Sequence, residues 1–92
     1  MAKPRIQVTR EVFAEVLDYL GRYFEVSSNQ DDRPFSAEGL AAALADKDGA
    51  LTVLTDRIDA ALLARCPKLK AACNIAVGFN NFDLAAMSAR GV

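Results

Sequence analysis

The sequence predicts an α/β domain in which parallel strands form one sheet with helices on both faces. Short apolar stretches alternate with segments of helical periodicity between Arg5 and Arg90, and this alternation is typical of parallel strands joined by right-handed crossovers. Hydrophobic residues make up 52% of the chain, which suits strands that are covered on both faces. The 92 residues are enough for one small domain, and no linker or internal repeat divides them.

The first half of the chain predicts two strand–helix units. Arg5–Val8 alternates and contains β-branched residues, so it is the first predicted strand. Thr9 is a candidate N-cap for a helix that ends at Gly21, and Tyr23–Val26 is the second strand. The apolar face of this helix comprises Val12, Phe13, Val16, Leu17 and Leu20. Ser36 is the predicted cap of the second helix. Its inward residues are Leu40, Ala43 and Leu44.

The second half predicts two more units. These are a strand Ala50–Leu54, a helix capped by Asp59 and closed by Pro67, a strand Ala71–Ile75 and a helix Asp83–Arg90. The apolar residues of the third helix are Ile58, Leu62 and Leu63. Gly91 indicates a helix stop and Val92 the first residue of a fifth strand. We therefore expect a sheet of four β-α units that is cut off before its fifth strand.

The loop after the fourth strand is the candidate ligand site. Gly78 interrupts the apolar run, and a glycine lets the backbone turn tightly or approach a ligand closely. Amide groups in such a turn, directly ahead of a helix, can point together at an anion. The residues leave two interpretations open, a corner that binds a small carboxylate and a plain strand–helix connection. A lone glycine does not decide between them.

Charge and composition argue against several classes of protein. The net charge is −1 and no basic stripe is present, so the electrostatic signature of nucleic-acid binding is missing. No apolar stretch approaches the roughly 18 residues of a membrane span, and the charged N-terminus lacks the apolar segment of a secretory signal. Cys66 and Cys73 form no CxxC motif, and we expect both to be reduced core thiols. These features predict a cytoplasmic protein without nucleic-acid or membrane partners.

Three segments resemble a known family of enzymes. Lys3–Phe13, Asp48–Asp59 and Leu69–Leu84 are similar, in order and spacing, to the N-terminal part of the D-isomer-specific 2-hydroxyacid dehydrogenases. The likeness is strongest to the glyoxylate/hydroxypyruvate reductase (D-glycerate dehydrogenase) branch and covers nearly the whole chain. The third segment is the most specific, because strand, glycine loop, asparagine and aspartate all fall where the family has them.

The resemblance implies a two-domain enzyme. Its substrate domain has a flavodoxin-like fold, and an inserted Rossmann domain binds NADH or NADPH. The implied reaction is hydride transfer between the nicotinamide and a small 2-oxo or 2-hydroxy acid, and the implied full-length assembly is a homodimer. The family's glycine-rich loop, arginine and glutamate–histidine pair have no counterpart here, since the chain contains no histidine and no GxGxxG. Residues 1–92 are thus expected to form part of the substrate domain, without catalytic or cofactor-binding residues and inactive alone.

By the same resemblance, the substrate-binding residues are Leu54, Ala76, Val77 and Gly78. The backbone amides of Val77 and Gly78 would hold the substrate carboxylate, Ala76 would line the loop, and Leu54 would form a wall of the pocket. This agrees with the rule that ligands of open α/β sheets bind beyond the carboxyl ends of the strands. The chain departs from many relatives at Asn80, where they have aspartate; an asparagine can serve the same turn or cap role.

Two other classes of function stay open. One is a free-standing signalling receiver, for which Asp56 follows the third strand, although the acids expected after the first strand are largely missing. The other is a domain that binds a small acid without catalysis. We expect Asp56 and Arg57 to be solvated loop residues and Asn81 to bond loop backbone. Packing roles are expected for Phe79 and Phe82, and surface positions for Tyr19 and Tyr23.

Overall fold

The computed structural model describes residues 3–29, 34–75, 78 and 80–92, in which four strands alternate with four helices. The strands are β1 (Arg5–Val8), β2 (Glu25–Ser28), β3 (Gly49–Val53) and β4 (Ala71–Ile75). The helices are α1 (Ala14–Gly21), α2 (Ala37–Leu44), α3 (Ala60–Ala64) and α4 (Leu84–Arg90). None of these described helices combines the length and hydropathy that a membrane crossing requires. The element order confirms the predicted α/β class.

The strands are all parallel and lie in the order β2-β1-β3-β4. The chain crosses the sheet in one direction from β1 to β2, and in the opposite direction from β2 to β3 and on to β4. Because crossovers between parallel strands are right-handed, α1 lies on one face of the sheet, and α2 and α3 lie on the other. This is the strand order of the flavodoxin-like arrangement that the resemblance implied.

The face that carries α2, α3 and α4 holds the main hydrophobic core, and we call it the covered face. Ala50 and Ala72 are partners in adjacent strands and therefore point to the same face. Leu44, Ile58 and Leu63 are almost completely buried against them. The other buried members of the cluster are Leu40, Ala41, Leu62, Cys66, Leu69 and Met87.

The opposite face, which we call the α1 face, carries only α1 among the described helices. Ile6 and Val8 of the central strand β1 are buried on this face, but α1 itself has no buried residue. Ile75, on the edge strand β4, keeps 49% of its surface exposed. An open apolar groove runs between α1 and β4, with Leu20 and Cys73 on its walls. The chain therefore buries one side of its sheet much more fully than the other.

The start of α1 differs from the sequence prediction. The helix begins at Ala14, and Phe13 occupies the N-cap position without a side-chain hydrogen bond. Thr9 was predicted to cap this helix, but its hydroxyl donates to the side chain of Asp56 instead. Phe13 was predicted to lie on the buried helix face and is 78% exposed, because it precedes the helix on the sparsely covered α1 face.

Two strands are shifted along the chain relative to the prediction. β2 begins at Glu25 rather than Tyr23, because the amides of Tyr23 and Phe24 still donate to the Leu20 carbonyl and extend the end of α1. β3 begins one residue earlier than predicted and ends at Val53. Ile58, assigned to the third helix, precedes that helix and forms an isolated bridge instead.

Helix termini agree well with the sequence. Ser36, Asp59 and Asp83 each accept a hydrogen bond from the backbone N–H three residues later. This confirms the predicted caps Ser36 and Asp59, whereas Asp83, predicted as the first residue of the fourth helix, is the N-cap of α4. Gly91 is left-handed, with φ of +71°, and the Val92 amide donates to the Met87 carbonyl at 2.9 Å. This is the pattern of a Schellman stop. Val92, predicted to open a fifth strand, instead completes the stop and packs against the core.

The two cysteines lie in different environments. Cys66 is buried in the core as predicted, and burial raises the pKa of its thiol. Cys73 is exposed, so the prediction of two core thiols is wrong for this residue. The cause is the alternation of β4, in which Ala72 and Asn74 face the helices while Cys73 faces the groove of the α1 face.

Candidate functional site

The candidate loop lies at the carboxyl edge of the sheet, where β3 and β4 end side by side. Val53 and Ile75 are register partners, so the segments that follow them leave the sheet next to each other. Leu54 is 56% exposed there, and Gly78 is exposed as well. Outside the described residues lie Ala76, Val77 and Phe79. The structure thus brings Leu54 and Gly78 to one edge, as the sequence predicted.

Gly78 has a backbone conformation that requires glycine. Its φ is +107°, a value that residues with an L side chain rarely adopt. Apart from its chain neighbours, no described residue has an atom within 4 Å of the position that a Cβ would take there. The glycine is therefore required by the backbone conformation, and the space in front of it is open for a ligand.

A pair of asparagine side chains connects this loop to the sheet. Asn74, in β4, and Asn81, beyond the loop, form a reciprocal amide pair with N–O distances of 2.8 and 3.1 Å. The second N–H of Asn74 donates to the carbonyl oxygen of Gly78 at 3.2 Å. The amide group of Asn74 thus bridges the two ends of the loop.

The other partners of the pair lie on β3 and its exit. The hydroxyl of Thr52, which is completely buried, contacts the Asn74 carbonyl oxygen at 3.0 Å. Asn81 Nδ2 lies 2.7 Å from the Asp56 carbonyl oxygen and 3.3 Å from that of Val53. These contacts confirm the prediction that Asn81 bonds backbone. They also join the ends of β3 and β4 through side chains.

The segment that returns from the loop is fixed to the β3 exit by backbone bonds. The Ile58 amide donates to the Asn81 carbonyl at 2.9 Å, and the Asp83 amide donates to the Ile58 carbonyl at 2.8 Å. Ile58 and Phe82 form an isolated parallel bridge, and Phe82 packs against the core as predicted. α4 therefore starts from a fixed position directly after the candidate loop.

A buried polar contact closes the sheet where β1 and β3 end. The Thr9 hydroxyl donates to Asp56 Oδ2, which also accepts from the Val53 amide at 3.0 Å. Both Thr9 and Asp56 are fully buried. The connections that follow β1 and β3 run to opposite sides of the sheet. In an open α/β sheet, ligands usually bind in the crevice at such a switch point. Here that crevice is filled by side chains, and the candidate site lies one strand further on.

The structure corrects one expectation about the β3 exit and confirms another. Asp56 was predicted to be solvated and is buried, which also removes it as an accessible phosphate acceptor. Its Oδ1 atom has no hydrogen-bond partner among the described residues. Arg57 is solvated as expected and forms an ion pair with Asp59 at 3.5 Å. Tyr19 and Tyr23 lie on the surface in edge-to-face contact, also as expected.

The described part of the site offers groups for binding and positioning. Backbone amides and asparagine side chains predominate, and the full sequence contains no histidine for proton transfer. Among the described residues, no cluster of His, Cys, Asp and Glu could hold a metal ion. Sequence reasoning missed Asn74 and Thr52. A polar residue inside each of two apolar strands was the available signal, since a buried polar side chain needs a partner.

Comparisons with known proteins support the family resemblance. The family model described as "D-isomer specific 2-hydroxyacid dehydrogenase, catalytic domain" matches residues 6–92. The chain is 39% identical over 92 residues to a glyoxylate reductase of Aeropyrum pernix, with all of this chain and 28% of that relative aligned. It is 37% identical over 90 residues to a glyoxylate/hydroxypyruvate reductase B of Citrobacter koseri, covering 98% of this chain and 28% of the relative. The chain therefore spans little more than a quarter of the curated relatives it matches.

Solved structures show the same fold. A protein from Pyrococcus horikoshii superposes with a TM-score of 0.89 at 26% identity, over 98% of this chain and 26% of its own. An NADPH-dependent glyoxylate/hydroxypyruvate reductase from Sinorhizobium meliloti, in complex with NADP and malonate, gives a TM-score of 0.72 at 26% identity, over 99% of this chain and 27% of its own. A Polaromonas protein reaches 0.92 over 98% of this chain and 28% of its own, but at 21% identity it supports the fold alone.

Proposed function

Because this chain belongs to the D-isomer specific 2-hydroxyacid dehydrogenase family, we propose that it supplies part of the substrate domain of a reductase. The proposed substrates are glyoxylate or hydroxypyruvate, which are reduced to the 2-hydroxy acid. The complete enzyme is proposed to be a cytoplasmic homodimer that uses NADH or NADPH. The nicotinamide supplies the hydride when it is bound. No residue of this chain is assigned to it, because the sequence lacks a glycine-rich GxGxxG loop.

In this proposal the chain binds the carboxylate of the substrate. The backbone amides of Val77 and Gly78 donate to the carboxylate oxygens, and Ala76 lines the same loop. The observation that supports this role is the conformation of Gly78, which has φ of +107° and open space where a side chain would lie. Backbone N–H groups that converge on a charged ligand form strong hydrogen bonds, because one partner is ionised.

Leu54 has a different role in the proposal. It follows β3, is more than half exposed and lies at the same edge as Gly78. An apolar side chain beside a carboxylate-binding loop excludes water from the reacting carbonyl without competing for hydrogen bonds. Leu54 thus forms a wall of the substrate pocket.

Substitution of Gly78 in the complete natural polypeptide tests the proposal. Both Gly78→Ala and Gly78→Val strain the positive φ, and the described residues leave room for the added Cβ. Only valine adds a branched group in front of the carboxylate. We expect Gly78→Val to lower kcat/KM for glyoxylate or hydroxypyruvate by about 100-fold, as expected when charged hydrogen bonds are lost. The dissociation constant of the nicotinamide should stay within about twofold.

The alanine variant is the matched control for backbone strain. An intermediate loss in Gly78→Ala, clearly smaller than in Gly78→Val, would separate steric exclusion of the carboxylate from conformational strain. Unchanged kinetics in the valine variant would contradict the assigned site. A wild-type protein that binds a 2-oxo acid but never oxidises NADH or NADPH would favour the small-acid-binding module over the reductase.

A further inference from the structure

We propose that Asn74 is a positioning residue that restrains the backbone of Gly78, through the carbonyl group of that residue, for carboxylate binding. The inference rests on the proposed function, since it concerns the same loop. It adds a residue whose side chain acts through the backbone of Gly78 rather than on the substrate itself.

Gly78 needs an external restraint to present a defined backbone. Glycine has the widest conformational freedom of any residue, and its ordering carries the largest entropic cost. Gly78 is exposed, and among the described residues no atom lies within 4 Å of its potential Cβ position, so packing by this part of the chain does not hold it. The hydrogen bond from Asn74 Nδ2 to its carbonyl oxygen, at 3.2 Å, supplies a restraint from the sheet.

Asn74 is well suited to this task because its own amide group is fully engaged. Its two N–H groups donate to Gly78 O and Asn81 Oδ1, and its oxygen accepts from Thr52 and Asn81. A primary amide has two donor hydrogens and two acceptor lone pairs, and each lies near a partner. The Thr52 hydroxyl shares its one hydrogen between Asn74 Oδ1 and the Cys73 carbonyl oxygen, at 3.0 and 3.2 Å. A side chain held in this way stays in one rotamer and transmits the rigidity of β3 and β4 to Gly78.

The arrangement restrains Gly78 before the ligand arrives. A group that folding already holds in the binding orientation loses no further conformational entropy when the ligand binds. The affinity for the ligand is therefore higher. This gain in binding energy is the same in the ground state and the transition state, because the carboxylate does not change while the neighbouring carbonyl carbon is reduced. Loss of Asn74 should therefore raise KM and leave kcat nearly constant.

The experiment uses the complete natural polypeptide with Asn74→Ala. We expect KM for glyoxylate to rise about tenfold, with kcat and the KM for the nicotinamide within about twofold. Malonate, a carboxylate without the reacting carbonyl, is the binding probe. Its dissociation constant, measured by calorimetry, should rise by the same factor as KM. A residue needed only for folding would lower the active fraction and kcat instead.

Two further substitutions keep the test independent of folding. Thr52→Val removes the hydroxyl that contacts Asn74, and we expect a KM increase of about threefold, whereas Thr52→Ser retains the hydroxyl and should restore the wild-type value. Asn29→Ala is the matched control. Its side chain donates to the Thr9 carbonyl at 3.1 Å, at the end of β2, which is separated from β4 by two strands. This variant should leave KM unchanged.

The outcomes separate this inference from the proposed function. If Gly78→Val impairs reduction but Asn74→Ala and Thr52→Val leave KM and malonate affinity unchanged, the positioning role is wrong and the function stands. If the wild-type protein reduces neither 2-oxo acid, yet Asn74→Ala weakens malonate binding about tenfold, the positioning role stands and the reductase assignment falls. Absence of both reduction and malonate binding would overturn both.

Discussion

The two faces of the sheet have the same strands but very different degrees of burial. On the covered face, Leu44 and Ile58 are completely excluded from solvent. On the α1 face, Phe13 is largely exposed and Ile75 is half exposed, although both side chains are large and apolar. Hydrophobicity alone therefore does not distinguish the two sets of residues. Their burial depends on how many crossovers place a helix over each face.

The direction of chain travel explains this difference. One step, from β1 to β2, places α1 on its face, whereas the return across the sheet places α2 and α3 on the other. α4 joins them through its contacts with α3. The covered face is consequently the part of the molecule on which stability should mainly depend, and we expect the exposed positions of the α1 face, such as Phe13 and Ile75, to tolerate substitution.

The largest expected effect is a loss of stability from truncation in the covered face. Leu44→Ala should lower the free energy of unfolding by about 3 kcal/mol, because it removes a fully buried side chain and leaves a cavity. Leu84→Ala makes the same change at a half-exposed position and should cost less than about 1 kcal/mol. Urea unfolding of the 92-residue chain, followed by circular dichroism, measures both. Equal losses would contradict the burial of Leu44 in the main core.

The cysteines provide a chemical comparison of the two faces. Cys73 is exposed on the α1 face, while Cys66 is buried and has a raised pKa, so less of its reactive thiolate is present. Iodoacetamide should modify Cys73 at least about tenfold faster than Cys66 in the folded chain. Peptide mass spectrometry gives both rates, and concentrated urea should equalise them. Equal rates under folding conditions would mean that the two faces are equally accessible.

The smallest effect is expected at the edge of the α1 face. Ile75→Thr retains the branch at Cβ and replaces the ethyl group by a hydroxyl. Because the position is half exposed, the free energy of unfolding should change by about 1 kcal/mol or less. The same substitution at Ile58 places a hydroxyl in the core and should cost about 3 kcal/mol. Thermal melts of the two variants measure the contrast. A comparable loss at Ile75 would indicate that β4 is covered in solution.

Much of the fold was predictable because its signals are local. The caps at Ser36, Asp59 and Asp83 depend on a side chain that reaches three residues along the chain. The left-handed stop at Gly91 depends on one residue type. The alternation of short strands with helices likewise requires only nearby residues, so the α/β class and the element order follow from the sequence.

The features that were not predicted depend on contacts between distant segments. Thr9 and Asp56 are 47 residues apart and bond only because β1 and β3 are neighbours in the sheet. A charged residue in a polar loop is normally solvated, so the burial of Asp56 has no local signal. Cys73 stays exposed because β4 lies at an edge of the described sheet, and strand order is a property of the whole fold.

The candidate site was predictable to an intermediate degree. Gly78 was marked by its position after an apolar run, and its positive φ agrees with the need for glycine. The family resemblance, rather than spacing, suggested a carboxylate as its ligand, and that role stays a prediction. The amide network behind the loop was not predicted, since Asn74 and Thr52 belong to different strands and meet only through sheet pairing.

The backbone bonds at the β3 exit have a practical consequence for spectroscopy. The amides of Ile58 and Asp83 lie outside the helices and strands, yet both are hydrogen-bonded in the bridge beside the candidate loop. Their protons should exchange slowly with deuterated solvent, unlike those of ordinary loops. Because both amides lie beside the candidate loop, their nitrogen–proton resonances should shift when a ligand binds there. They would therefore report ligand binding without an attached probe.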